Sequence, residues 1–376
     1  MVASAKKIAY VATVFSHLAN FHIRFMTDLQ LDGHIVHAYG KPDHCKIDVE
    51  GQSIVCRDIA FSRHPLHPGN YIALRSLMRW FDQEQYDLVH VHTPNASVIT
   101  RISAALTGRR RVVYTAHGFH FYKGAPLRNW LLYYPVEWMM ARFTDVLITI
   151  NREDYERAKY FPVRKKVVYI PGVGVDVSRY QGLGAERRKR LQSELSITEH
   201  HFTVLCLAEL NGNKNHKQLI YSVLELKRMG VPIVCLLAGT GILESRLKEL
   251  VRTLGLTEEI RFLGFRRDVP ELLQLCDVLT LLSKREGLPK VLQEASAAGK
   301  PMIVTDVRGS REIVAPGVNG YVVPVGDAQA VTRALSELYE NTELREAMGN
   351  NSRASAEQYE VRRIAQQLDN IYAELG

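Results

Sequence analysis

The sequence predicts an α/β protein built of two doubly wound, parallel-sheet units, and three observations lead there. Short β-rich apolar runs alternate with helical patterns from end to end, as in a parallel sheet wrapped by helices. A chain of 376 residues exceeds what one hydrophobic core usually organises. Near the middle, the Gly- and Pro-rich stretch Ile170-Pro-Gly-Val-Gly-Val-Asp176 interrupts the alternation.

In the first half the predicted strands are residues 8–15, 34–39, 88–92, 112–116, 146–150 and 167–170, with helices between them. The second series is 203–208, 232–238, 259–263, 277–282, 301–304 and 321–323. The polar segment 179–199 offers little to a core and reads as a hinge. The expected organisation is a first domain over 1–172, a linker over 173–199, a second domain over 200–353, and a final helix over 354–376 that packs back on the first domain.

Composition excludes several function classes. A hydrophobic content of 46% with 23% charged residues is that of an ordinary soluble globular protein. Five widely spaced cysteines, with no CxxC pair, exclude a disulfide framework or a cysteine zinc site and fit a reducing compartment. Ser16, His17 and Asn20 interrupt the first apolar run, which therefore reads as a buried strand and not a signal peptide. No run approaches the roughly 20 apolar residues that span a bilayer, so membrane contact is expected to be peripheral.

The net charge of +8 is concentrated in the first 175 residues, which hold 22 Lys+Arg against 14 Asp+Glu, and 11 of the 14 histidines. An anionic partner follows, such as a phospholipid surface, a lipid phosphate or nucleic acid. No nucleic-acid-binding module with interleaved aromatic and basic residues is present, so nucleic acid is not expected. A dinucleotide oxidoreductase is excluded as well, because no GxGxxG turn follows the first strand. The aromatic segment 129–142, preceded by Lys123 and Arg128, has two readings: a core helix bent at Pro135, or a face offered to a membrane or lipid-linked acceptor.

The most informative motif is Glu286-Gly-Leu-Pro-Lys-Val-Leu-Gln-Glu294. One carboxylate precedes a Gly-Leu-Pro turn and the other sits two turns along the following helix. A nucleotide sugar lying over the helix start would meet both acids through its hydroxyls and would present its diphosphate to backbone NH groups. By spacing alone, two exposed helix-flanking acids are the better reading.

The surrounding order of motifs is more specific. Gly239-Thr-Gly241, Phe262-Leu-Gly-Phe-Arg-Arg-Asp268, the Glu286 to Ala295 segment, Gly299-Lys-Pro-Met-Ile-Val304, Gly309-Ser-Arg-Glu312 and Gly317-Val-Asn-Gly320 follow one another. This series resembles the retaining family-four glycosyltransferases, which have the GT-B fold of two facing Rossmann-like domains with a cleft between them. Tyr114-Thr-Ala-His-Gly-Phe119 and Pro171-Gly-Val-Gly-Val-Asp176 match that family's first-domain histidine loop and interdomain loop. The subgroup most similar to this chain builds bacterial surface and capsular polysaccharides.

The resemblance implies roles. Glu294 receives the ribose hydroxyls, Glu286 contacts the donor sugar, and Gly287, Leu288 and Pro289 bring backbone NH groups to the diphosphate. Lys214 is the diphosphate-binding cation and His117 contacts the sugar near the reaction centre, so His117, Lys214 and Glu286 are the expected catalytic residues. Gly241 and Arg266 are expected near the nucleotide, with a surface role open for Arg266. Lys217 and Lys290 read as solvated lysines, and His120 stays open. His17, Asn20 and His22, in a loop after the first strand, are candidates for acceptor or cleft contacts. The chain departs from the family at Ala208-Glu209-Leu210, where Gly-Arg-Leu is usual. Lys214 must then carry the phosphate charge, with help from Lys217 or Lys290, or with Glu209 orienting it.

The implied reaction transfers a hexose or N-acetylhexosamine from a UDP-sugar, with retention, to a lipid-linked or saccharide acceptor. No cofactor or metal is expected, since no Asp-x-Asp signature stands in a suitable place. The expected location is cytoplasmic, at the inner face of the membrane, held by the basic first domain. A UDP-sugar epimerase or a non-catalytic UDP-sugar binder of similar fold is the alternative.

Overall fold

The computed structural model describes residues 5–62, 64, 67–108 and 111–375. They divide into two compact units, residues 1–173 with 364–376, and residues 174–363. Each unit is a parallel sheet with helical crossovers.

The first sheet contains β1 (Lys7–Val14), β2 (Ile35–Lys41), β3 (Val55–Asp58), β4 (Leu88–His92), β5 (Val112–Ala116), β6 (Val146–Thr149) and β7 (Lys166–Tyr169), in the order β3-β2-β1-β4-β5-β6-β7. The central strands β4 and β5 are buried along their whole length, since helices cover both faces of such a sheet. Their burial is why β-rich apolar residues dominate them, His90 and His92 being the polar exceptions on β4. Strand β3 was not anticipated: it is a half-exposed edge strand of sequence Val-Cys-Arg-Asp, with no apolar run to reveal it.

The second sheet contains β8 (Phe202–Leu207), β9 (Ile233–Ala238), β10 (Ile260–Gly264), β11 (Val278–Leu281), β12 (Met302–Thr305) and β13 (Gly320–Val323), in the order β10-β9-β8-β11-β12-β13. All six coincide with predicted strands to within one or two residues. The core on one side gathers Val204, Cys206, Leu219, Val223, Leu237, Val278 and Leu335, all buried.

Two local expectations are corrected. Residues following β1 form no loop, because a helix, Phe15–Phe21, starts directly after Val14 and is anchored by buried Phe15 and Leu18. Close approach of β2 is possible there because Gly40 has no side chain; a Cβ would lie 3.1 Å from the Phe15 nitrogen. The polar segment 179–199 is also no free linker. Its helix Ala185–Glu194 and the residues after it bury Leu191, Leu195 and Ile197, and Arg188 donates to the Gln274 carbonyl at 2.8 Å. One buried leucine in the helix and two apolar residues just after it suffice to seat a segment that is otherwise charged.

The final helix, Val361–Glu374, buries Ile364, Leu368, Ile371 and Tyr372. The Tyr372 hydroxyl lies 2.6 Å from that of Tyr10 and also bonds His90 Nδ1, while Lys6 donates to the Tyr372 carbonyl at 2.9 Å. These contacts tie the end of the chain to β1 and β4. Residues 354–363, by contrast, belong to the second unit.

In helix Leu127–Met140 the aromatic residues answer to the core reading. Trp130, Tyr133, Tyr134 and Trp138 pack against the first core, and Glu137 is buried in an ion pair with Arg101 at 2.9 Å. Its outer face is aliphatic: Leu127, Leu131, Leu132 and Met139 are exposed. The aromatic residues thus serve the core, and leucines face outward.

Candidate functional site

Two groups of polar side chains form at the carboxyl ends of strands, one in each unit. Each sits where the strand order reverses, between β1 and β4 and between β8 and β11. At such a switch point the adjoining crossovers leave on opposite faces of the sheet and open a crevice for a ligand.

In the second unit, β8 leads into the loop that carries Lys214, and β11 leads into the loop that carries Glu286. Side chains sew the loops together. Asn211 Oδ1 accepts from the backbone nitrogens of Asn213 and Lys214, Asn213 Nδ2 donates to the Arg285 carbonyl at 3.0 Å, and Lys284 N donates to the Asn213 carbonyl at 2.8 Å. Lys214 Nζ is thereby brought 2.6 Å from Glu286 Oε1, with both side chains largely enclosed. Buried Arg308 donates to the Glu286 carbonyl at 3.1 Å. This arginine, missed in the sequence, adds a third charged group beside the pair.

The Gly-Leu-Pro turn is held by close backbone packing. A Cβ on Gly309 would lie 2.1 Å from the Gly287 carbonyl, so glycine there lets helix Arg308–Ile313 lie against the turn. The Leu288 side chain is buried, and Pro289 caps helix Lys290–Ala297.

Glu294, on that helix, is partly buried. Tyr180 donates its hydroxyl to Glu294 Oε1 at 2.9 Å, and Lys290 Nζ lies 3.9 Å from the same oxygen. Burial pushes the Glu294 carboxyl above its ordinary range, while Lys290 first and Tyr180 second act to lower it. Tyr180 comes from the segment read as a hinge and was not anticipated.

Other expected residues have different partners. Arg266 is engaged on both edges of its guanidinium, by Asp268 at 2.8 and 2.6 Å and by Glu194 at 2.7 Å. Its side chain ties the 266–268 turn to helix Ala185–Glu194. Gly241 packs against backbone, since a Cβ would lie 2.5 Å from the Leu210 carbonyl. Glu209 is exposed and does not orient Lys214, whose ammonium is held by Glu286; Lys217 is exposed also.

In the first unit the structure brings together His17, His22, His92 and His117, with one ring nitrogen of each within 4.8 Å of the others. His17 lies on helix Phe15–Phe21 and His22 caps its end, His92 ends β4, and His117 follows β5. His117 Nε2 is 3.4 Å from His92 Nδ1, and its ring meets His17 edge-on at 4.6 Å. Asn20 is exposed on the same helix and is not in this group. His92 was not anticipated, although the alternation His90-x-His92 in a buried strand was a signal: two imidazoles on one face of a strand need polar partners. His90 has them in Tyr372 and Thr115, the latter at 2.7 Å.

Burial drives the His90 ring down to about 3 and that of His117 down to about 4. His17 and His92 are held well below the ordinary histidine range, by burial first and by neighbouring histidines second. These four rings are neutral near pH 7. Beside the group, Thr13, His17, Thr93, Asn95, His120 and Tyr133 line a cleft of about 310 Å³. His120 is stacked on Tyr133 in its wall, at 4.7 Å.

Comparison with known proteins identifies the family and the fold. Residues 7–151 match the family model described as Glycosyl transferase 4-like, and residues 187–355 match Glycosyl transferases group 1. The chain is 39% identical to the putative glycosyltransferase EpsD of Bacillus subtilis (strain 168), covering 98% of this chain and 96% of that one. It is 27% identical to the UDP-Gal:alpha-D-GlcNAc-diphosphoundecaprenol alpha-1,3-galactosyltransferase of Escherichia coli, over 75% of this chain and 72% of that one. Among solved structures, Anabaena Alr3699/HepE in complex with UDP and glucose superposes with a TM-score of 0.83 at 22% identity, covering 98% of this chain and 100% of that one. With its paired parallel-sheet units of GT-B type, the chain belongs to the family-four glycosyltransferases, in the group that serves bacterial surface polysaccharide synthesis.

Proposed function

We propose that the protein transfers a hexose or N-acetylhexosamine from a UDP-sugar, with retention at the anomeric carbon, to a lipid-linked or saccharide acceptor. The observation that carries this reading is the Lys214–Glu286 pair, enclosed at the switch point of the second unit with Glu294 on the adjoining helix. A leaving diphosphate gains negative charge as its bond to the sugar breaks, and a preorganised ammonium stabilises that charge more than it stabilises the ground state. Before donor binds, Glu286 holds Lys214 in place. On binding, the diphosphate takes the ammonium and Glu286 turns to sugar hydroxyls, so one anionic partner of Lys214 replaces another.

Glu294 accepts the ribose diol, with Lys290 and, after it, Tyr180 favouring its charged form against the effect of burial. UDP affinity should therefore fall as pH drops through the raised Glu294 titration. Removing the Tyr180 hydroxyl removes a donor to the charged form, which raises that titration further. In Tyr180→Phe the acid limb of UDP affinity, followed by calorimetry, should move to higher pH, with the two proteins converging once the pH is well above both Glu294 titrations. An unmoved limb would separate Tyr180 from the nucleotide.

The donor diphosphate is handled by Lys214 and backbone NH groups without a divalent ion. In the first unit, the cleft walled by His17, His120 and Tyr133 takes the acceptor, and His117 contacts the donor sugar. Leu127, Leu131 and Leu132, flanked by exposed Lys123 and Arg128, form the face that meets an anionic bilayer at the cytoplasmic side. The relative from Escherichia coli, whose name gives a diphosphoundecaprenol acceptor, supports a lipid-linked substrate.

The test is a panel of UDP-sugars incubated with membrane lipid extract and followed by UDP release and product anomer. Acceptor-dependent release of UDP is expected for one donor. Conversion of the sugar without acceptor would favour an epimerase, and binding without turnover a sugar-nucleotide binder. Leu131→Asp should cut sedimentation with vesicles of anionic phospholipid several-fold while turnover of a water-soluble acceptor stays unchanged.

A further inference from the structure

Thr93 carries backbone strain that neither the sheet nor the donor chemistry explains. It stands between β4 and helix Pro94–Leu106, at the switch point of the first unit, with φ 68° and ψ 140°. Positive φ with so extended a ψ is nearly glycine-only territory, and for a β-branched residue it is an outlier of the kind that gathers at functional sites. Gln85 and Asn215 also have positive φ, but their ψ values of 54° and 40° put them in the ordinary left-handed well. We propose that Thr93 and Thr13 form a positioning pair for the acceptor, with one hydroxyl donating to an oxygen of the incoming saccharide. This rests on the reading that the cleft of about 310 Å³ takes the acceptor.

The proton count leaves one donor over. Thr13 N donates to Thr93 Oγ1 at 3.0 Å, and the two hydroxyl oxygens lie 2.7 Å apart. Each hydroxyl carries one proton, and one of the two is used between them. Neither hydroxyl has another partner among the described residues, so whichever way the pair is turned, one O–H remains to donate. Thr13 is buried, Thr93 is half-buried, and both line the cleft. A buried hydroxyl usually finds an acceptor, and here an oxygen of the ligand supplies it.

Glycine would adopt the same conformation without strain, so a threonine at this position is explained by its side chain. Joining β1 to β4 is not reason enough. Those strands are already in register from Ile8 opposite Leu88 to Val11 opposite Val91. The two threonines lie beyond that ladder, at the strand ends where the cleft opens. No Asp, Glu, Lys or Arg lines the cleft among the described residues, and the stacked rings of His120 and Tyr133 belong to its wall. Hydroxyls and an aromatic wall without charge suit an uncharged pyranose ring.

The test is saturation-transfer NMR on the full-length protein with the methyl α-glycosides of glucose, galactose, N-acetylglucosamine and N-acetylgalactosamine, run with and without UDP. At least one glycoside should bind the parent. Its signal should fall about fivefold or more in Thr93→Gly and stay within about twofold in Thr93→Ser, which keeps the hydroxyl. Thr93→Gly should melt within about 4 °C of the parent, because relief of strain offsets the lost hydrogen bonds. Binding that falls while stability holds is what a purely structural threonine would not produce. Should Thr93→Gly fail to fold, Thr13→Val decides in its place: it keeps the backbone N–H and should weaken binding about threefold or more. No glycoside bound by the parent, an unchanged signal in Thr93→Gly, or an equal loss in Thr93→Ser would each overturn the proposal. A melt that collapses in both Thr93→Gly and Thr13→Val would make the pair a joint of the sheet and overturn it as well. The transferase reading stands or falls separately, on UDP release with lipid extract.

Discussion

Glu294→Ala is expected to abolish measurable UDP binding while leaving the fold intact. Each hydrogen bond from a ribose hydroxyl to a carboxylate is worth roughly 1.5–3 kcal/mol, so losing two weakens affinity by roughly 10² to 10⁴-fold. Stability should fall only modestly: burial already disfavours the charged form of this carboxyl, and the main cost is the buried Tyr180 hydroxyl left without its acceptor, about 1–3 kcal/mol. Calorimetric titration with UDP and a thermal melt, run on the same preparation, separate the two effects. UDP affinity within threefold of the parent would remove Glu294 from the nucleotide site. A collapse of the melt together with binding would make it a structural residue.

Lys214→Ala should lower kcat/KM by about 10² to 10³, the cost typical of removing one preorganised group that faces developing negative charge. The form of the loss matters as much as its size. If Lys214 acts on the leaving diphosphate, kcat falls with kcat/KM; a rise in KM alone would mean that it binds donor and transition state equally. The substitution also strands Glu286, whose side chain is only 11% exposed and loses its ion-pair partner. Part of any defect would then come from an uncompensated buried carboxylate. Glu286→Gln and the double variant close the cycle. For groups that meet the same donor the losses should be less than additive, because once the ammonium is gone the sugar contact is already misplaced. Strict additivity would mean that the two act independently, against the reading of one coupled site.

Much of the architecture was legible before any coordinates. Parallel strands covered on both faces are rich in apolar β-formers, so β4, β5, β8 and β9 announced themselves, β4 despite its two histidines, whereas the polar edge strand β3 did not. Glu286 and Glu294 were legible for a similar reason. They share one turn and helix, and local spacing carries their relation.

The pairings that make the site were not legible, because they join residues far apart in sequence. Lys214 and Glu286 are 72 positions apart and Tyr180 and Glu294 are 114 apart. Arg266 shows the same limit from the other side: a plausible ligand by position, it is claimed by Glu194, 72 residues earlier. In the first unit, histidines from a helix, the end of β4 and the residue after β5 meet only because right-handed crossovers bring the carboxyl ends of adjacent strands together. The sequence by itself determined the two sheets and the acids on one helix, since those depend on burial and on spacing within single elements. Only the tertiary structure decided which charge answers which, because that depends on strand order, and strand order leaves no mark within a single segment.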